Sequence, residues 1–232
     1  MSSGIPYTYS WTATEPARGR ITTSRQEVLQ ISVAFAVLTL DFVLILFVGG
    51  VFTGSSVSSI VAVPLDLVGF AALVALTAFV CHELAHKISA QRHGYWAEFR
   101  WSPIGLAFSV VTAYLGLLFA APGATVIGGM GNVRDWGRTS LAGPLTNLSF
   151  AAAFYAGATA AWFFASPLYF WLLLLAWFNS FFGVFNLLPF GPLDGAKVLR
   201  WSSAIWVVAF VVGVAAAVVS YLAVVVVGRP VL

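Results

Sequence analysis

Residues 139–193 run for 55 positions without an Asp, Glu, Lys or Arg, and two further stretches, 42–65 and 201–228, are also uncharged. A bilayer crossing takes roughly 20 apolar residues, so the longest run has room for two crossings and each of the others for one. The composition agrees: 60% of the residues are hydrophobic and 8% charged, where a soluble domain carries about 25% charged residues. A soluble enzyme is excluded. So is a nucleic-acid partner, because a net charge of +3 leaves no basic patch rich enough to grip a phosphate backbone. The expected partner is the lipid bilayer. The single cysteine, Cys81, excludes an internal disulfide or a multi-cysteine metal cage.

The pattern predicts an all-α polytopic membrane protein with about five transmembrane helices plus a membrane-associated strand or re-entrant hairpin. A polar N-terminal tail (1–27) lacks the short apolar core of a cleavable signal, so the first transmembrane helix (28–52) is expected to stay in place. A core follows over 60–200. It comprises a helix at 60–90, membrane-associated strands within 97–121, and helices at 141–164 and 168–188 that turn at Ser166-Pro167. A last helix is expected at 204–227.

Hydropathy alone would accept 103–121 as a sixth crossing, but Pro103, Gly105, Gly116 and Ala121-Pro122-Gly123 punctuate it, and Val110-Val111-Thr112 favour strand geometry. The positive-inside rule separates the two layouts. With five spans and a cytoplasmic N-terminus, Arg18, Arg20, Arg25, Lys87, Arg92, Arg100, Arg134, Arg138, Lys197 and Arg200 lie inside, ten of the eleven basic residues. A sixth span would leave seven against four. A non-crossing 97–121 segment is therefore expected, shielded from lipid by helices because open backbone is not tolerated in hydrocarbon.

The chemistry begins at the inner end of the second span, with Cys81-His82-Glu83-Leu84-Ala85-His86, a match to H-E-x-x-H. Residues four apart share a helix face, so His82 and His86 can hold one zinc ion while Glu83 stands beside the metal's water. Zinc acidifies that water and polarises a carbonyl, and the glutamate moves the proton. The reaction class is peptide-bond hydrolysis. Ionisable groups at membrane depth each cost a few kcal/mol, about 2.5–3.5 kcal/mol for Asp on insertion scales, so a cluster of them calls for a compensating metal.

Two histidines leave a tetrahedral site short of one protein ligand. The candidates are His93, two turns further on, Asp41 and Asp66 in or near spans, and Asp194. The last lies in Asn186-Leu187-Leu188-Pro189-Phe190-Gly191-Pro192-Leu193-Asp194-Gly195, where prolines and glycines break a helix. In the five-span layout His82, His86 and Asp194 share one depth and one side.

These motifs resemble the site-2 proteases, intramembrane zinc metalloproteases that cut transmembrane segments. Asn186 to Gly195 is similar to the family's N-x-x-P-x-x-P-L-D-G motif, and Gly143-Pro144-Leu145-Thr146-Asn147 to its G-P-x-x-N. Gly94 to Gly105 resembles the strand region that follows the first motif. The likeness covers about 80–200. It implies His82, His86 and Asp194 as ligands of one zinc per chain, Glu83 as general base, and Asn186 and Asn147 near the substrate backbone or the developing oxyanion. It also implies a transmembrane protein as substrate, unwound against the 99–118 strands. The chain resembles a short form, without a PDZ-like insertion or a soluble regulatory domain. The rival reading is a membrane metal or proton transporter using the same ligands, although no paired half-helices or inverted repeat are evident. The tryptophans and tyrosines, among them Tyr7, Tyr9, Trp11, Trp96, Trp101, Trp136 and Trp201, are expected as interfacial anchors.

Overall fold

The computed structural model describes residues 20–48, 65–117, 122–129, 131–166 and 168–227. Most of the expected tail, the end of the first span (49–52), the start of the second (60–64), and Tyr7, Tyr9, Trp11, Arg18 and Arg229 lie outside the described residues.

Helix α1 (Arg25–Val48) is followed by α2 (Leu65–Ala75), which runs through a π-helical turn (Leu76–Val80) into α3 (Cys81–Arg92). The wide turn is closed by Cys81 N donating to Leu76 O, and its flanking residues keep helical dihedrals, so Leu65–Arg92 is one continuous helix of 28 residues. At ~1.5 Å per residue it extends about 42 Å. Its buried stripe of Leu67, Ala71, Val74 and Ala78 carries on into His82 and His86. A π turn just ahead of the two histidines fits the tendency of such turns to sit at functional positions.

Next come β1 (Trp96–Trp101), α4 (Pro103–Tyr114) and β2 (Gly123–Gly128). The strands pair antiparallel with Trp101 opposite Gly123. Two expectations are corrected here. The second strand lies beyond 121, and Val110, Val111 and Thr112 are helical. Ser102 caps α4 by accepting Gly105 N, and Pro103 occupies the first turn, where its missing N–H costs nothing. The capped segment buries Leu106, Ser109 and Ala113, and α4 packs on α1. That burial outweighs the weak strand preference of β-branched residues. Because Trp101 and Gly123 are partners, the chain returns from α4 to the sheet end it left. A helix of 12 residues reaches about 18 Å, short of a ~30 Å hydrocarbon layer. Gly123 permits the return: its φ is +148°, and a Cβ there would lie 2.3 Å from Arg100 O.

Helix α5 (Val133–Phe163) begins eight residues before the expected 141 because Asn132 caps it, accepting Asp135 N at 2.7 Å. The Tyr95 hydroxyl donates to Asp135 at 2.6 Å, tying the sheet to this helix; that bond and the Asn132 amide hold the Asp135 carboxyl below its usual range. Helix α6 (Leu168–Asn186) is followed by a short α7 (Asp194–Trp201), which the broken pattern of prolines and glycines did not suggest, and by α8 (Ser203–Val227). Leu38, Phe42, Leu46, Phe70, Val74 and Phe178 form the main core between α1, α2 and α6.

Among the described residues, four helices are long and apolar enough to cross a membrane: α1, the joined α2–α3, α6 and α8. Val208, Val211, Val212, Val219 and Leu222 of α8 are exposed, an apolar face that lipid would cover. Helix α5 is long enough at 31 residues but more polar.

Lys87 stands in the topology count as an inner-face charge, yet it is 1% exposed and paired with Glu27, also 1% exposed. Lys87 Nζ donates to Thr23 Oγ1 at 2.8 Å, and Glu27 Oε1 accepts Phe99 N at 3.0 Å. The pair thereby joins α1, α3 and β1. Glu27→Ala leaves a buried lysine uncompensated and is expected to destabilise the protein by about 3–5 kcal/mol, seen as a lower thermal midpoint in detergent. An unchanged midpoint would show that the pair contributes nothing.

Candidate metal centre

Three side chains from two distant parts of the chain meet below the core. His82 and His86 come from successive turns of α3, and Asp194 from the first turn of α7. The two Nε2 atoms are 3.0 Å apart, and Asp194 Oδ2 lies 3.3 Å from His82 Nε2 and 3.0 Å from His86 Nε2. All three residues are buried.

The protons around this triangle show whether it suits zinc. Asn147 Nδ2 donates to Ala78 O at 3.1 Å, which leaves its Oδ1 to accept from His82 Nδ1 at 3.1 Å. His86 Nδ1 faces Thr139 O at 2.7 Å. Both rings therefore carry their proton on Nδ1 and turn a bare Nε2 lone pair inward. Three acceptors facing one another repel, and a single added proton could bridge only one edge. A tetrahedral zinc with ~2.0–2.2 Å bonds sets its ligand atoms roughly 3.3 Å apart, close to the observed edges. The donor set fits zinc.

Space is reserved for it as well. Gly143 of α5 faces the rings, and a Cβ there would fall 2.5 Å from His86 Nε2 and 2.6 Å from His82 Nε2. Gly143→Ala is expected to push the rings apart and weaken zinc binding by at least about tenfold. Metal titration of the purified variant checks this; native affinity would show that the rings can yield.

The centre opens on a cavity of about 300 Å³ lined by Glu83, residues of β2, Leu38 and Phe42 of α1, and Phe182 and Asn186 of α6. Glu83 lies beside the triangle, with its Oε2 accepting from Thr125 N and facing Thr125 Oγ1, both at 2.8 Å. The two asparagines separate. Asn186 lines the cavity while its amide donates to Phe182 O at 3.1 Å. Asn147 is fully buried behind His82.

The other candidate ligands stand apart. His93 is exposed and bonded to Ser89 O, and Asp66 sits in the first turn of α2, at the far end of the long helix. Asp41 is fully buried in α1, outside the triangle. Three contributors escaped sequence reasoning. Lys197 Nζ reaches Asp194 Oδ1 at 3.4 Å, which its i,i+3 spacing could have signalled. Thr125 and Thr139 lie in no motif, and nothing local marks them.

A buried His/His/Asp triangle beside a glutamate, at the end of a membrane-length helix, is the constellation of a membrane zinc hydrolase. Two relatives carry names in keeping with it. Over 151 residues the chain is 35% identical to a protein of Methanocaldococcus jannaschii named "Putative zinc metalloprotease MJ0611", a match covering 61% of this chain and 75% of that one. Over 134 residues it is 32% identical to "Putative zinc metalloprotease Rip3" of Mycobacterium tuberculosis, covering 56% of this chain but only 30% of the relative. The chain belongs to the zinc metalloprotease family of the first, and its cofactor is zinc. No family model matches the chain, and no solved structure matches it.

Proposed function

We propose that this metalloprotease is an intramembrane endopeptidase of the site-2 protease type, cutting peptide bonds in or near the transmembrane segments of membrane proteins. The observation that carries the reading is the position of the triangle: it closes on α3 in the same continuous helix whose apolar part is long enough to cross the bilayer. A protease acting on soluble chains would have no need to build its centre there.

His82, His86 and Asp194 would hold the zinc. When bound, zinc supplies a Lewis acid that acidifies water and polarises a carbonyl. Glu83 accepts the water's proton and delivers it to the leaving amine nitrogen. Asn147 and Thr139 hold the two rings in the tautomer that leaves Nε2 free, and Lys197 steadies the second oxygen of Asp194. Asn186, on the cavity wall, would donate its second amide hydrogen to the substrate carbonyl oxygen.

A substrate helix must unwind before its backbone is accessible. The outer edge of β2 borders the cavity, whereas β1 is already closed by Glu27, Gln30 and Gln91. The unwound segment lies along β2, whose edge replaces the hydrogen bonds that the helix gave up. In this reading the substrate helix enters laterally between spans, α5 completes five crossings, and the N-terminus and the metal end face the cytoplasm.

The test is purified protein incubated with a panel of transmembrane peptides, with and without chelator, and cleavage sites read by mass. Chelator-sensitive cuts within or beside the apolar segment are expected. Metal uptake into sealed vesicles without cleavage would overturn the reading in favour of a transporter.

A further inference from the structure

Glu83 is gripped by a residue that belongs to no motif. The pairing of Phe99 with Thr125 is a non-hydrogen-bonded pair: Phe99 N donates away to Glu27, and Thr125 N donates away to Glu83. In an antiparallel ladder such amides point outward, so β2 aims the Thr125 amide at α3. The Thr125 side chain adds to this, its Oγ1 lying 2.8 Å from Glu83 Oε2 and 3.0 Å from Glu83 O.

We propose that Thr125 is the positioning residue for Glu83. Its amide and hydroxyl both engage Oε2, which leaves Oε1 as the oxygen presented to the cavity. A glutamate side chain otherwise swings about three torsions, and a general base works only within hydrogen-bond reach of the proton it takes. Fastening one oxygen removes most of that freedom and turns the other toward the reacting water. This inference rests on Glu83 being the general base.

The hydroxyl can be tested apart from the amide. Thr125→Val keeps the shape and loses the O–H, whereas Thr125→Ser keeps the O–H. A hydrogen bond to a charged group corresponds to about tenfold or more in rate. Thr125→Val is therefore expected to lower kcat on a transmembrane peptide about tenfold with KM within about twofold, while Thr125→Ser stays within about twofold of native. Both should keep one zinc per chain and the native thermal midpoint. Thr125 is half-buried, so Thr125→Ala serves as a second hydroxyl-free variant and should share the loss. Native kcat in the valine and alanine variants, or an equal fall in the serine variant, overturns the positioning role. Native protein that cleaves no peptide overturns the endopeptidase reading, and this one with it.

Discussion

Glu83→Ala protein is expected to fold, bind one zinc per chain and cleave at least about 10²-fold, and up to about 10⁴-fold, more slowly than native, the range over which a positioned general base contributes. The geometry explains why binding and catalysis should separate at this residue. The three acceptors that face one another belong to His82, His86 and Asp194, and Glu83 is instead held by Thr125 on the cavity side. Removing its carboxylate leaves the triangle, the Asn147 and Thr139 supports and the Gly143 gap untouched. Zinc stoichiometry by elemental analysis and kcat/KM on a transmembrane peptide measure the two effects on one preparation. Cleavage at the native rate would sink the assignment of Glu83.

Asp194→Ala should do the reverse and act on the metal first. It removes one of the three proposed protein ligands from a site where hydrolytic zinc keeps three plus an open position. The loss of affinity should exceed the ~10–100-fold that removal of an outer support costs. Asn147→Ala provides that comparison, because it deletes the partner of His82 Nδ1, together with the donor to Ala78 O, and leaves the side chains of His82, His86 and Asp194 in place. The expected order of zinc affinity is native, then Asn147→Ala, then Asp194→Ala, by titration against a competing chelator. Equal affinity for Asp194→Ala and native protein would remove Asp194 from the centre.

The proposed roles of the outer supports rest on contacts that no linear pattern encodes. Asn147 is legible as part of a motif, but its place behind His82 follows from the way α5 packs on α3. The Glu27–Lys87 pair joins positions 60 residues apart, although the charge pattern alone reads Lys87 as an exposed inner-face residue. Helix α4 carries strand-favouring residues and becomes a helix because Ser102 and Pro103 start one and α1 offers it a surface. Each is a case of long-range packing overriding a local preference.

What the sequence determined by itself is the part governed by solvent and by spacing. Scarce charge demands a bilayer, since uncharged stretches of this length have no stable place in water. The i,i+4 interval of His82 and His86 puts both on one face because a helix turns every 3.6 residues. What only the tertiary structure decided is the closing of the site. Whether Asp194 reaches the histidines, which nitrogen of each ring stays bare, and which residue holds Glu83 depend on how α3, α5, α7 and β2 pack together. Distances of 3.0 Å between residues more than 100 positions apart are products of that packing, and local sequence carries no record of them.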